Sequence, residues 1–258
     1  MRWRQLIPTF VTMLAMLSAF FGILLIVEGM RTGGTYPFYR QAAQLIMLAM
    51  ILDGLDGNLA RWLTGCSEFG AELDTYVDMT AFGIAPAILI FAVTLQSPQN
   101  HIWRIALPSL VALSGIVRLA KFKVKDPLRG QGGYAGLPIT ANAGWVAMFV
   151  FISQSPPHDQ FSLNQGPVAT LFLAGIVIFI ILQVTNLRYP KPTKKTFLFI
   201  PCVILVGMLL FPKQSISVTA AITLLILGGG YTVFGPLFVK GVEIHKAHIE
   251  ARDSAQST

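Results

Sequence analysis

This sequence is short of charge. Only 12% of its 258 residues are Asp, Glu, Lys or Arg, while 54% are hydrophobic and the mean hydropathy is +0.64. A soluble domain carries roughly 25% charged residues. The shortfall excludes a soluble enzyme, a disordered chain and a nucleic-acid-binding domain as leading readings. Cysteine is scarce too: Cys66 and Cys202 are the only two, which excludes a disulfide scaffold. The four histidines, at positions 101, 158, 245 and 248, fall in expected loops or the tail, which argues against a catalytic His. The chain has no internal repeat, low-complexity segment or separate soluble domain.

Long apolar runs are what the chain does have. A membrane-spanning helix needs about 20 mostly apolar residues. About eight runs qualify, near 6–27, 40–62, 69–95, 102–122, 137–154, 167–187, 197–212 and 215–238, so the expected fold is an all-α integral membrane protein. The first run, MRWRQLIPTFVTMLAMLSAFFGILL, imitates a signal peptide, but it is too long for a signal core and no small-x-small cleavage site follows it. With eight spans, Arg31, Arg40, Arg104 and Lys213 fall on one side and the remaining 15 of the 19 Lys and Arg on the other. Cytoplasmic loops carry the excess of Lys and Arg, so both termini are expected in the cytoplasm. The net charge of +7 then reflects topology. The expected layout is one polytopic domain over 1–240, with a catalytic core at about 40–145, and a short cytoplasmic tail at 241–258. Trp3, Trp62, Trp103 and Trp145 mostly sit near span ends, as interface anchors do.

The acids break this pattern. Asp53, Asp56, Glu68, Glu72, Asp74 and Asp78 are six of the 12 acids, packed into 26 residues across spans two and three. A charge at the bilayer centre costs about 2.5–3.5 kcal/mol on insertion scales, so acids at membrane depth need a compensating cation or water. Asp53, Asp56, Gly57, Ala60 and Arg61 share one helical face, as do Gly70, Asp74 and Asp78. The short link between the spans makes them antiparallel neighbours whose acidic faces can meet near the cytoplasmic surface. Four such carboxylates suit a hard divalent ion, Mg²⁺, Mn²⁺ or Ca²⁺; the absence of His and Cys from these faces argues against zinc. Gly57, Ala60 and Gly70 leave the faces nearly bare, which reads as a slot for a flat ligand.

These residues carry a resemblance. Asp53-Gly-Leu-Asp56-Gly57-Asn-Leu-Ala60-Arg61, eight residues, Gly70, three residues, Asp74, three residues, Asp78 resembles the signature of the CDP-alcohol phosphatidyltransferases, with every fixed position present. The resemblance implies an integral membrane enzyme that moves a phosphatidyl group from a CDP-linked lipid to a small alcohol and releases CMP. It also implies a two-metal site held by Asp53, Asp56, Asp74 and Asp78, with Asp78 doubling as base, and a homodimer. By position in the motif, Arg61 contacts the nucleotide or a phosphate, and Ser67 bonds the cytidine or ribose or caps span three.

Three further stretches resemble the phosphatidylserine synthase branch: Ser67 to Ala87, Arg118-Leu-Ala-Lys-Phe-Lys-Val124, and Gly136-Leu-Pro-Ile139, with Ile7-Pro-Thr-Phe-Val-Thr fitting its start. The branch implies CDP-diacylglycerol and L-serine as substrates and a bacterial cytoplasmic membrane as location, with the site facing the cytoplasm. Arg118 and Lys121, one turn apart, are then candidates to hold the serine carboxylate, whereas Lys123, Lys125 and Arg129 read as topology markers. Some positions depart from the branch. Ala81 stands where it usually has Ser, Lys121 and Lys123 replace its second Arg and its Asn, and Thr9 replaces a common Asn. Glycerol phosphate, inositol phosphate and choline therefore stay open as acceptors. A different class of reading, an ion-coupled transporter, also uses intramembrane acids, but it usually binds near the midplane and shows paired halves.

Overall fold

The computed structural model describes residues 3–33, 37–63, 67–94, 101–124, 134–155, 163, 165–189, 204, 206–209 and 214–256. In chain order the elements are α1 (Trp3–Arg31), α2 (Phe38–Trp62), α3 (Glu68–Asp78), a π-helical stretch (Met79–Ile84), α4 (Ala85–Thr94), α5 (His101–Val124), β1 (Tyr134–Ala135), α6 (Ile139–Ser153), α7 (Gly166–Val184), β2 (Arg188–Tyr189) and α8 (Gln214–Gln256). The protein is an all-α integral membrane protein. Among the described residues six helical segments are long and apolar enough to cross a membrane. Most of the expected seventh span, 197–212, lies outside the described residues, although 206–209 is helical.

The expected fifth span is different in kind. Helix α6 has 15 residues, which at 1.5 Å per residue is about 22 Å, short of the ~30 Å hydrocarbon core. Residues 142–144 and 146–153 are buried all round. A helix apolar on every face belongs inside a bundle, and here α6 packs against α2, α7, α8 and the π-helical stretch. Trp145 sits within the bundle, not at an interface: its ring packs on Phe149 and Phe179. Trp62 and Trp103 are exposed, as expected of anchors.

The third span is not the uninterrupted α-helix expected over 69–95. After Asp78 the ladder widens to π geometry for six residues, and the Ala85 N–H donates to Thr80 O. Pro86 gives the reason. It has no N–H, and its ring collides with the carbonyl four residues back. One extra residue in the turn relieves that collision.

Helix α1 packs along α2 and reaches α3 and α4. Its polarity runs inside out. Thr9, Thr12 and Ser18 are buried, while Phe10, Met13 and Leu17 are exposed, as suits a helix whose outside meets lipid. Ser18 Oγ donates to Leu45 O of α2 at 2.8 Å.

A clasp joins the start of α6 to the end of α7. Strands β1 and β2 pair antiparallel, Tyr134 with Tyr189 and Ala135 with Arg188. The Gly136 N–H donates to Leu187 O at 2.8 Å and the Leu137 N–H to Leu182 O at 3.0 Å. Gly136 has φ +76°, and a Cβ there would lie 2.6 Å from Gln183 O, so only glycine fits. Tyr189 is fully buried and donates from Oη to Thr232 O of α8 at 3.3 Å; burial pushes its phenol pKa up, which keeps the donor protonated.

Helix α8 runs through Gln256. The expected tail at 241–256 is thus the continuation of a helix.

Candidate active site

Helices α2 and α3 bring the acids together as their spacing requires. Carboxylate oxygens of Asp53, Asp56 and Asp74 all lie within 4.8 Å of one another. Asp53 lies near both Asp74 and Asp78. Asp56 is the deepest, 5% exposed. Asp78 Oδ1 is buried without a hydrogen-bond partner among the described residues. Anions crowded this closely repel, and burial removes the water that would screen them. The donor set is all oxygen, with an orphaned oxygen beside it, so these residues fit hard divalent ions.

Gly57 is exposed on the same face as Asp53 and Asp56, and a Cβ built there meets nothing within 4 Å. Open space therefore borders the acids on that side. Ala60, one turn on, is half-buried. Gly70 is different: its Cβ would lie 3.0 Å from Ser67 Oγ and 3.7 Å from Thr9 Oγ1. Glycine at 70 leaves room for the Ser67 side chain to fold back over the first turn of α3. Ser67 is the N-cap of α3, with Oγ accepting from the Gly70 N–H at 3.0 Å.

Arg61 lies exposed along the end of α2. Its Nε donates to Gly57 O at 3.0 Å and its Nη2 to Asn58 Oδ1 at 2.9 Å. The guanidinium thus rests at the rim of the space beside Gly57, held by contacts within its own helix.

The two candidate acceptor cations part company. Arg118 is 8% exposed, and its charge acts on Asp78. Lys121 is exposed and its Nζ donates to Val184 O at 2.9 Å, capping the last turn of α7. Lys123, expected only to mark topology, forms an ion pair with Glu72 that ties α5 to α3. A cavity of about 280 Å³ lined by Met208, Ser215, Ile216, Thr219, Ala220 and Thr223 holds no titratable group. The carboxylates, not that cavity, mark the chemistry.

One polar contact at the site was not anticipated. Thr12 Oγ1 of α1 donates to Asp56 Oδ2 at 2.5 Å. The available signal was the pair Thr9 and Thr12, three residues apart in a span otherwise nearly all apolar.

A membrane helix bundle that gathers four aspartates at one end defines a polar, metal-fitting site on the motif described above. Residues 5–206 match the CDP-alcohol phosphatidyltransferase family, and the chain belongs to that family of transferases. It is 32% identical over 190 residues to a CDP-diacylglycerol–serine O-phosphatidyltransferase of Helicobacter pylori, covering 71% of this chain and 76% of the relative. It is 31% identical over 208 residues to an enzyme of the same name from Methanocaldococcus jannaschii, covering 78% and 84%. It is 30% identical over 190 residues to an archaetidylserine synthase of Methanothermobacter thermautotrophicus, covering 72% and 70%.

Proposed function

We propose that this chain transfers the phosphatidyl group of CDP-diacylglycerol to L-serine, giving phosphatidylserine and CMP. The observation that carries the chemistry is the meeting of Asp53, Asp56 and Asp74 within 4.8 Å beside Asp78. Serine as acceptor is supported by the names of the relatives.

In this reading the serine hydroxyl oxygen attacks the phosphorus that bears diacylglycerol. The P–O bond to CMP breaks, and the hydroxyl proton passes to Asp78. Asp53, Asp56, Asp74 and Asp78 would hold a divalent pair, Mg²⁺ or Mn²⁺, which would supply positive charge to neutralise the phosphoryl oxygens. Gly57 and Ala60 leave room for the nucleotide, and Arg61 reaches the phosphates from the rim with a fork donor suited to them. Ser67 and Gly70 shape the first turn of α3 beneath it. Arg118, buried next to Asp78, holds the serine carboxylate and so keeps the hydroxyl near its base; Lys121 serves the same anion from further out.

The reading includes the eight-span layout, with the short, buried α6 as its fifth member, both termini in the cytoplasm, and a single polytopic domain with its catalytic core at about 40–145. It also places the site on the cytoplasmic face of a bacterial inner membrane, in a homodimer. The bias of Lys and Arg to one side of the eight-span layout supports the orientation; the dimer rests on the family resemblance.

The test is a headgroup panel. Purified protein receives CDP-diacylglycerol, Mn²⁺ or Mg²⁺, and in turn serine, glycerol phosphate, inositol phosphate or choline, and CMP release is followed. Serine should give the highest kcat/KM. Preference for another alcohol overturns the serine assignment, and no CMP with any of them overturns the chemistry.

A further inference from the structure

We infer that Thr12 is a positioning residue that fixes the carboxylate of Asp56 for metal binding, which makes α1 a working part of the site. The inference rests on the metal-binding role proposed for the aspartates.

A threonine inside a helix usually turns its hydroxyl back to the carbonyl four residues earlier. Thr9 does so, donating to Gln5 O at 2.9 Å. Thr12 Oγ1 has the same option, with Pro8 O at 3.0 Å, but Asp56 Oδ2 stands at 2.5 Å. The hydroxyl has one proton and can satisfy only one acceptor. Hydrogen bonds to a carboxylate run at about 2.5–2.7 Å and are roughly twice as strong as neutral ones. The proton therefore goes to Asp56. Thr12 and Asp56 are each 5% exposed, so burial limits the access of water to this bond.

The consequence is geometric. A carboxylate on a single Cβ rotates readily about its terminal torsion. Pinning Oδ2 from α1 removes that freedom and holds the carboxylate where one of its oxygens lies within 4.8 Å of Asp53 and Asp74. Partners of this kind typically contribute 10- to 100-fold in metal affinity. Thr9, one turn earlier, lies against the Gly70 and Ser67 turn of α3, so the same face of α1 braces both acid-bearing helices.

The experiment compares Thr12→Val, which keeps the β-branched shape without the hydroxyl, with Thr12→Ser, which keeps the hydroxyl. Full-length protein in detergent is titrated with Mn²⁺ without substrate, and free Mn²⁺ is read by electron paramagnetic resonance. Thr12→Val should bind about 10- to 100-fold more weakly, and Thr12→Ser should stay within about threefold of the unmodified protein. Turnover of Thr12→Val should return toward normal at saturating Mn²⁺, because the defect is in holding the ion. The inference is overturned if Thr12→Val binds Mn²⁺ as tightly as the parent, if Thr12→Ser loses as much as Thr12→Val, or if saturating Mn²⁺ restores nothing, which marks a packing defect. If the parent binds no Mn²⁺, or Asp56→Asn binds as tightly as the parent, the metal role of the aspartates itself fails and Thr12 fails with it.

Discussion

Two glycine-bearing faces of this molecule are equally bare and chemically opposite. A Cβ added at Gly57 of α2 meets nothing within 4 Å, and the same holds at Gly228, Gly229 and Gly230 of α8. Around the α8 glycines the neighbouring side chains Ile226, Leu227, Val233 and Phe234 are all exposed. Around Gly57 stand Asp53, Asp56, Asp74 and Asp78. Room next to a glycine is therefore no mark of a site in a membrane protein, where small residues and outward apolar groups are routine. A buried carboxylate is a mark, because the bilayer makes it costly.

The comparison breaks first at the acids, where the largest effect is expected. Asp56→Asn or Asp74→Asn removes a metal ligand but keeps the shape. Metal ions contribute several kcal/mol of charge stabilisation, so turnover should fall by about a thousandfold or more, while membrane insertion and folding persist. Excess EDTA should do the same to the parent protein. Full turnover in EDTA would end the metal reading.

A second, smaller effect separates the two glycine faces directly. Gly57→Leu puts a branched side chain into the space beside the acids and should weaken CDP-diacylglycerol binding by about tenfold or more, a loss of at least ~1.4 kcal/mol. Gly229→Leu adds the same bulk on α8 and should leave binding unchanged. Equal affinity in both variants would show that the nucleotide lies elsewhere.

How much of this was legible in the sequence depends on whether the cause was local. Asp53, Asp56, Asp74 and Asp78 were legible because helical periodicity alone puts each pair on one face, and a short link makes the helices antiparallel neighbours. The π-helical stretch was not anticipated, although its cause, Pro86, was in view. Thr12 and the Lys123–Glu72 pair needed the packing of helices far apart in sequence. Gly70 is legible as a small residue beside the acids, but its place against Ser67 Oγ in the first turn of α3 needed the structure. The α6 helix was read as a span from its composition. Apolar content does not distinguish a helix buried in protein from one bathed in lipid; the burial of α6 shows only in the packed bundle.

A third prediction concerns the two cations on the last turns of α5. Arg118 is buried near Asp78, and Lys121 is exposed and occupied at Val184 O. Arg118→Lys keeps the charge but loses the fork, so the KM for serine should rise by about tenfold, from a loss on the order of 1–2 kcal/mol. The KM for CDP-diacylglycerol should change less. Lys121→Gln should alter serine KM by less than about threefold, since the removed group is solvated. If Lys121→Gln moves the serine KM more than Arg118→Lys does, the roles are exchanged.

The smallest effect should come from the Lys123–Glu72 pair. Both side chains are about half exposed, at 45% and 53%. An exposed pair contributes about 0–1 kcal/mol, because water and salt screen it and two long side chains lose freedom. Lys123→Met should therefore shift the melting temperature by no more than about 2–4 °C, with a smaller shift at high salt. Turnover should be nearly unchanged. The pair nonetheless links α3 to α5 close in sequence to Asp74 and Asp78 on one side and Arg118 on the other. If its work were to hold Asp78 and Arg118 in register, Lys123→Met would lower kcat/KM for serine by tenfold without a matching loss of stability. The swapped double variant, Lys123→Glu with Glu72→Lys, would then restore it. A surface pair that only tethers two helices shows neither the loss nor the rescue, and that outcome is the one expected here.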